Sequence, residues 1–213
     1  MPGVTISAGY GAGGSVVAPE VAKRLGLPLL DRAISSRVAA QLRVSVQEAE
    51  GGEVRRPLVG RFLSVLTPLA GGVLGAGTDC APPEAVPPPD DAALFREQAE
   101  AIMREALIAG AVILGRAGAA AFHDQPDVLR VRLFGPPEAR VAQASRIENV
   151  DAPTARRRLP EVDRARAQYV RRLYCVSIDD PGLFHLQIDS TALSLEACAD
   201  LIVTSYTALI THL

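Results

Sequence analysis

Gly9, Gly11 and Gly14 fall on the spacing G-x-G-x-x-G, directly after an apolar β-branched run at 4–7 and directly before a stretch of helical character at 15–25. A strand that turns through glycines into a helix can bring backbone N–H groups against phosphate oxygens, and two chemistries use that arrangement. In one, a dinucleotide pyrophosphate sits on the turn and a carboxylate at the end of the next strand takes the ribose hydroxyls. Asp31, 17 residues past Gly14, stands where that carboxylate belongs. In the other, the loop cradles a triphosphate and ends in Gly-Lys-Ser or Gly-Lys-Thr, whose lysine position is taken here by Gly14 or Ser15. A tight turn that binds nothing is the bland third reading.

Among the basic residues 21 are arginine and one, Lys23, is lysine. At about 1.5 Å of rise per residue, Lys23 stands at least two helical turns beyond the loop and cannot meet a phosphate held there. Charge to stabilise a transferring phosphoryl group must come from elsewhere. Between Arg146 and Arg172 there are eight arginines (146, 156, 157, 158, 164, 166, 171 and 172) against four acids (148, 151, 161 and 163). A solvated helix face laced by pairs such as Glu161 with Arg164 explains part of this, Arg171 and Arg172 above all. The functional reading is a lid whose forked guanidinium donors close over phosphate oxygens. A nucleic-acid patch is disfavoured: no aromatic residue interleaves the cluster before Tyr169, and the net charge is -2.

Elements that could position these residues follow from pattern. Residues 29–30 suit a short buried strand after Gly26 and Pro28, and a helical pattern begins at Asp31 and runs to about 42. The signal weakens over 44–78, and the proline-rich 79–91 reads as an extended surface loop. An amphipathic helix is expected at 92–109, a strand at 111–115, a short helix at 117–122 and a strand at 128–134. Pro136 and Pro137 open a helix to about 147, an arginine-dense helix covers 153–173, a strand covers 185–188, and a last helix starts near Ser194. Strands alternate with helices, which implies a parallel sheet.

With 213 residues, 48% hydrophobic and 22% charged, the chain reads as one soluble globular domain. Its apolar stretches are too short or too broken for a membrane span. The N-terminus carries no secretory pattern, and Cys80, Cys175 and Cys198 have no metal-site or disulfide spacing, so a cytoplasmic protein with free thiols is the expectation. Cys175 and Cys198 read as small buried side chains, and His123, His185 and His212 as structural. Ser190 and Thr191 read as a turn that caps the last helix, with contact to an adenine or ribose as the alternative.

Four stretches carry a family resemblance: VTISAGYGAGGSVVAPEVAKRLGLPLLDRAI, VILGRAGAAAF, RVRLFGPPEARV, and EVDRARAQYVRR with LQIDSTALSLEACADLI. In this order they resemble the cytidylate kinase-like family, the divergent branch of nucleoside monophosphate kinases. The resemblance implies a P-loop NTPase-like three-layer α/β sandwich with a five-stranded parallel sheet. It implies one domain over 1–213, with an unmatched insert at 44–91 and an arginine-rich lid at 148–172. It further implies that Gly11, Ala12, Gly13, Gly14 and Ser15 hold ATP, with the Ser15 hydroxyl on Mg2+. Arg116 would meet the acceptor's phosphate, Asp31 would border the acceptor site, Arg164 and Arg166 would be lid arginines, and Asp163 would position or contact the acceptor.

The activity so implied is phosphotransfer from ATP to a nucleoside monophosphate or other small acceptor, without nucleic-acid or membrane partners and with the oligomeric state open. Cytidylate kinases carry a lysine where Gly14 stands and an aspartate where Ala117 stands, and the kinase-like branch often has arginine where Ala8 stands. A binding protein of the same fold without efficient catalysis is therefore an alternative. An NAD-dependent Rossmann oxidoreductase is another, disfavoured because no catalytic Tyr-Lys or His-acid arrangement accompanies the glycines.

Overall fold

The structure is a computed structural model that describes residues 2–31, 89–115 and 117–212. The strands β1 (Gly3–Ala8), β2 (Leu29–Leu30), β3 (Ala111–Leu114), β4 (Val128–Phe134) and β5 (Leu186–Asp189) form one sheet in the order β2-β3-β1-β4-β5. Every pairing is parallel, and Val4 lies between Val112 and Leu129 while Ile6 lies between Leu114 and Val131. Among the described residues the α-helices are α1 (Gly14–Leu25), α2 (Pro89–Ile108), α3 (Gly118–Ala121), α4 (Pro137–Glu148), α5 (Ala152–Tyr174) and α6 (Leu195–Thr211). β1 is central, and its C-terminal end, where the glycine turn begins, has a parallel neighbour on each side.

Alternation along the strands divides the core into two layers. Val4, Ile6, Val131 and Leu133 meet α1 and α6 through Val17, Val21, Ile202 and Tyr206. Ala111, Ile113 and Val128 meet α2 and α5 through Phe95, Met103, Tyr169 and Leu173. A third cluster of Tyr10, Val141, Ala144, Ala155 and Val162 joins the glycine turn to α4 and α5. Arg130 is buried on the α5 face of β4, where Nε donates to the Leu183 carbonyl at 2.9 Å. Its backbone N–H donates to His185 Nδ1 at 3.3 Å.

Several boundaries differ from expectation for physical reasons. The expected surface loop at 79–91 ends inside a helix: α2 starts at Pro89, and residues 79–88 lie outside the described residues. Proline needs no hydrogen-bond partner in a first turn, so the helix can open on it. The helical pattern expected from Asp31 and the weak segment 44–78 also lie outside them. Cys175 is exposed rather than buried, because it ends α5 in the left-handed region at φ 58°. Cys198 is buried, and burial pushes its thiol pKa up. The last helix is capped by Ser194, whose Oγ accepts from Ala197 N–H at 3.1 Å, rather than by Ser190 or Thr191.

Ile202 is fully buried between α6 and the sheet. Ile202→Ala is expected to cost about 2–4 kcal/mol in urea unfolding, with an unchanged denaturant slope.

Candidate active site

The turn between β1 and α1 is built from two glycines in the left-handed region, Gly11 at φ 71° and Gly13 at φ 75°. Both conformations favour glycine, and both positions are crowded. A Cβ on Gly11 would lie 2.3 Å from the Arg140 carbonyl oxygen, and one on Gly13 would lie 2.5 Å from Leu195 Cδ2. Among the described residues, no acceptor meets the backbone N–H groups of Gly11, Gly13 or Gly14. Three uncommitted amides in a left-handed nest at the start of a twelve-residue helix form an anion cradle.

The carbonyls of the same turn are held from outside. Gln143 Nε2 donates to Gly11 O at 3.0 Å, Ser190 Oγ to Ala12 O at 2.7 Å, and Arg166 Nη1 to Ala8 O at 2.7 Å. With its carbonyls so fixed, the turn presents its N–H groups. Tyr10 N–H donates to Asp163 Oδ1 at 2.8 Å, and Arg140 Nη1 donates to Tyr10 O at 3.0 Å and to Asp163 Oδ2 at 2.7 Å. Arg140 Nε donates to Gly135 O at 3.0 Å. The arginine side chain is 11% exposed and the aspartate 31%.

Beside the cradle, a cavity of about 290 Å³ opens between the ends of β1 and β4, under α5 and residues 178–179. Its polar lining comprises Ser7, Arg132, Arg140, Asp163, Arg166 and Asp179. Arg132 donates to the Ile178 carbonyl and to Asp179, and its guanidinium lies 5.6 Å from the Phe184 ring centre. Between α4 and α5, Arg156 pairs with Glu138 at 2.6 Å, and that hydrogen bond holds the Glu138 carboxyl below its usual range. The Thr191 hydroxyl and amide do the same for Asp189 in the turn after β5.

Of the residues predicted from sequence, the structure brings Gly11 to Ser15, Asp163 and Arg166 together at one edge of the sheet. Both carboxylate oxygens of Asp163 bind the protein, one the loop amide and one Arg140. Arg164 is exposed, whereas Arg166 is half-buried against β1. Residues two apart on a helix point to nearly opposite sides, so the two cannot serve one phosphate from the same face. No Glu161–Arg164 pair forms among the described residues; the pairs of this helix reach α4 instead, Arg156 to Glu138 and Arg158 to Glu148. Arg116 lies outside the described residues.

Asp31 follows β2, and β3 stands between β2 and β1. In a dinucleotide-binding sheet the second strand lies beside the first, which lets its terminal carboxylate reach the ribose. Two strand spacings, roughly 9–10 Å, separate the two here, so the glycine fingerprint lacks its partner. Sequence reading missed Arg140 and Gln143, although their signal was available. They lie three apart in the opening turns of the helix after β4, and parallel α/β topology sets such helix starts at the edge that holds the loop. Lys23 points into solvent with its side chain 80% exposed, 3.9 Å from Glu20.

A sequence profile of the cytidylate kinase-like family matches residues 3–192. The chain belongs to the cytidylate kinase-like family. A crystal structure of an uncharacterised protein from Eubacterium ventriosum aligns with a TM-score of 0.66 at 18% identity, covering 97% of this chain and 98% of the other. A gluconokinase from Sinorhizobium meliloti 1021 aligns at 0.50 and 11% identity, covering 98% and 93%. Both likenesses are of fold, and the family fold is a P-loop kinase-like α/β sandwich on an all-parallel five-stranded sheet. No curated protein matches the sequence. Among the described residues, no helix is long and apolar enough to cross a membrane, and no group of three His, Cys, Asp or Glu could hold a metal.

The glycines separate strain from crowding. Gly26 has φ 66° but nothing within 4 Å of a Cβ, so Gly26→Ala is expected to cost about 1 kcal/mol in thermal unfolding. Gly11→Ala adds a backbone clash to the same strain and is expected to cost about 3 kcal/mol or more.

Proposed function

We propose that the protein is an ATP-dependent phosphotransferase of the nucleoside monophosphate kinase type, acting on a nucleotide or other small phosphate acceptor. The observation that carries this is the cradle. Gly11, Gly13 and Gly14 offer backbone N–H groups with no acceptor among the described residues, at the positive end of α1 and beside an arm that bears Arg140 and Arg166. A polyphosphate fits such a donor set, and family membership favours that ligand over other anions.

In this reading the amides of Gly11, Gly13 and Gly14 hold the ATP phosphates from below; the Ala12 N–H, expected from sequence to join them, donates instead to Gly9 O at 3.1 Å. Ser15, in the first turn of α1, is the hydroxyl that would hold Mg2+; among the described residues no carboxylate cluster accompanies it, so phosphate oxygens and water would supply other ligands. Bound there, the ion would neutralise charge on the transferring group. Arg166 supplies the positive charge that a loop lysine supplies elsewhere, since its guanidinium is fixed at the end of β1 rather than swinging in from solvent. Arg164, on the exposed side of α5, is left to meet ligand from solvent. Arg116, after β3, takes the acceptor's phosphate, and Asp31 borders that site. Asp163 acts by positioning, because its oxygens are committed to the loop and to Arg140.

A second reading, nucleotide binding without efficient turnover, is favoured by one observation: Gly14 brings no cation into the loop. The two separate in a simple series. ATP with Mg2+ is expected to raise the melting temperature, by the equivalent of about 2.7 kcal/mol at a hundredfold excess over Kd. Turnover is then sought across all nucleoside and deoxynucleoside monophosphates. Arg166→Gln is expected to lower kcat about 100-fold or more with the fold intact. Stabilisation by ATP without turnover on any acceptor would establish the second reading, and stabilisation by NAD but not ATP would sink both.

A further inference from the structure

The phosphate-binding role of the loop uses its glycines and leaves Tyr10, which stands between two of them, without one. Tyr10 is fully buried, and its polar groups reach from the loop to the arm formed by α4 and α5. Its N–H donates to Asp163 of α5 at 2.8 Å, its carbonyl accepts from Arg140 of α4 at 3.0 Å, and its hydroxyl donates to Glu148 Oε2 at 2.9 Å. The ring packs among Val141, Ala144, Ala155 and Val162, so both helices also touch it through apolar contact.

Glu148 is an expensive partner. Its side chain is 1% exposed and it is the last residue of α4, where the helix dipole opposes a carboxylate. Arg158 of α5 donates to Oε2 at 3.2 Å, while Oε1 is buried and has no hydrogen-bond partner. A buried carboxylate satisfied on one oxygen only is weak as a source of stability, and an apolar residue of similar size would pack the corner at lower cost. What Glu148 does provide is direction: one oxygen grips both the loop tyrosine and α5 across the turn between the two helices.

We infer that Tyr10 is a positioning residue that joins the phosphate cradle to the α4–α5 arm through Glu148, so that the loop amides and the arm order as one unit. The cradle and Arg166 then keep a fixed relation before any ligand arrives. The consequence for turnover rests on the phosphotransferase reading; the coupling itself is a property of the ligand-free protein and is measured there.

Hydrogen exchange of the ligand-free full chain tests it at both ends. Tyr10→Phe keeps the ring and removes the hydroxyl, and Glu148→Leu removes the acceptor from the far side. Each is expected to raise exchange about tenfold or more both at the hydrogen-bonded loop amides of Tyr10 and Ala12 and at the first turns of α5, leaving α6 amides within about threefold. Glu148→Gln retains a carbonyl oxygen for the tyrosine and is expected to leave the loop within about threefold of the parent. Changes confined to the substituted end, or an equal rise in α6, would overturn the coupling. Where Tyr10→Phe does not fold, the two Glu148 variants decide alone, since their loop readout is remote from the substitution. If ATP binds, Tyr10→Phe is further expected to lower kcat about tenfold with KM for ATP within about threefold. If no nucleotide binds the parent, the phosphotransferase reading falls while the exchange result still decides the coupling.

Discussion

The Asp163 carboxylate, divided between a loop amide and the Arg140 guanidinium, is the contact on which the functional edge of this fold depends. Three separate segments meet there: the turn after β1, the opening of α4 and the middle of α5. Hydrogen bonds to a charged acceptor in a largely desolvated place are stronger and more directional than those between neutral groups. Half a turn of α5 in either direction would remove the carboxylate from the loop, so the pair fixes the phase of the helix. That phase in turn decides that Arg166 lies against β1 and Arg164 faces solvent.

Around this contact the protein separates the two kinds of backbone group in the loop. Carbonyls of Ala8, Tyr10, Gly11 and Ala12 are bound by Arg166, Arg140, Gln143 and Ser190, each from a different turn of structure. The amides of Gly11, Gly13 and Gly14 meet no acceptor among the described residues. A loop lysine performs two tasks in the usual triphosphate cradle, placing charge and ordering the turn by contact with its ligand. Here side chains outside the loop hold the turn, and Arg140 and Arg166 stand on the neighbouring helices. Arginine suits that division, since its planar fork can hold a carbonyl and a carboxylate together, as Arg140 does.

Much of the frame was legible in the sequence because local pattern and topology agree. The strand at 128–134 appears with the expected bounds, since alternation and the following prolines mark it from both sides. The turn of glycines, the βα order and the family resemblance led to the parallel sheet and its kinase-like fold. What was not legible depends on phase and on depth. Arg164 and Arg166 look alike as letters, and only the packing of α5 distinguishes them. Asp31 matched a fingerprint by spacing along the chain, whereas its meaning depends on strand order, which spacing does not determine. Tyr10 was invisible as a site residue because its signal lies in partners 130 to 153 positions away.

The lone lysine carries a practical corollary. Lys23 projects from the third turn of α1, roughly 13 Å along the axis from the helix start, with its ammonium in water. Amine-directed reagents that spare the chain terminus therefore have one side chain to react with, and it is placed away from every group that shapes the cradle. A dye, a crosslinker or a solid support attached there would leave the loop, α4 and α5 uncovered. A protein whose other cations are all arginine thus comes with a single built-in handle for attachment.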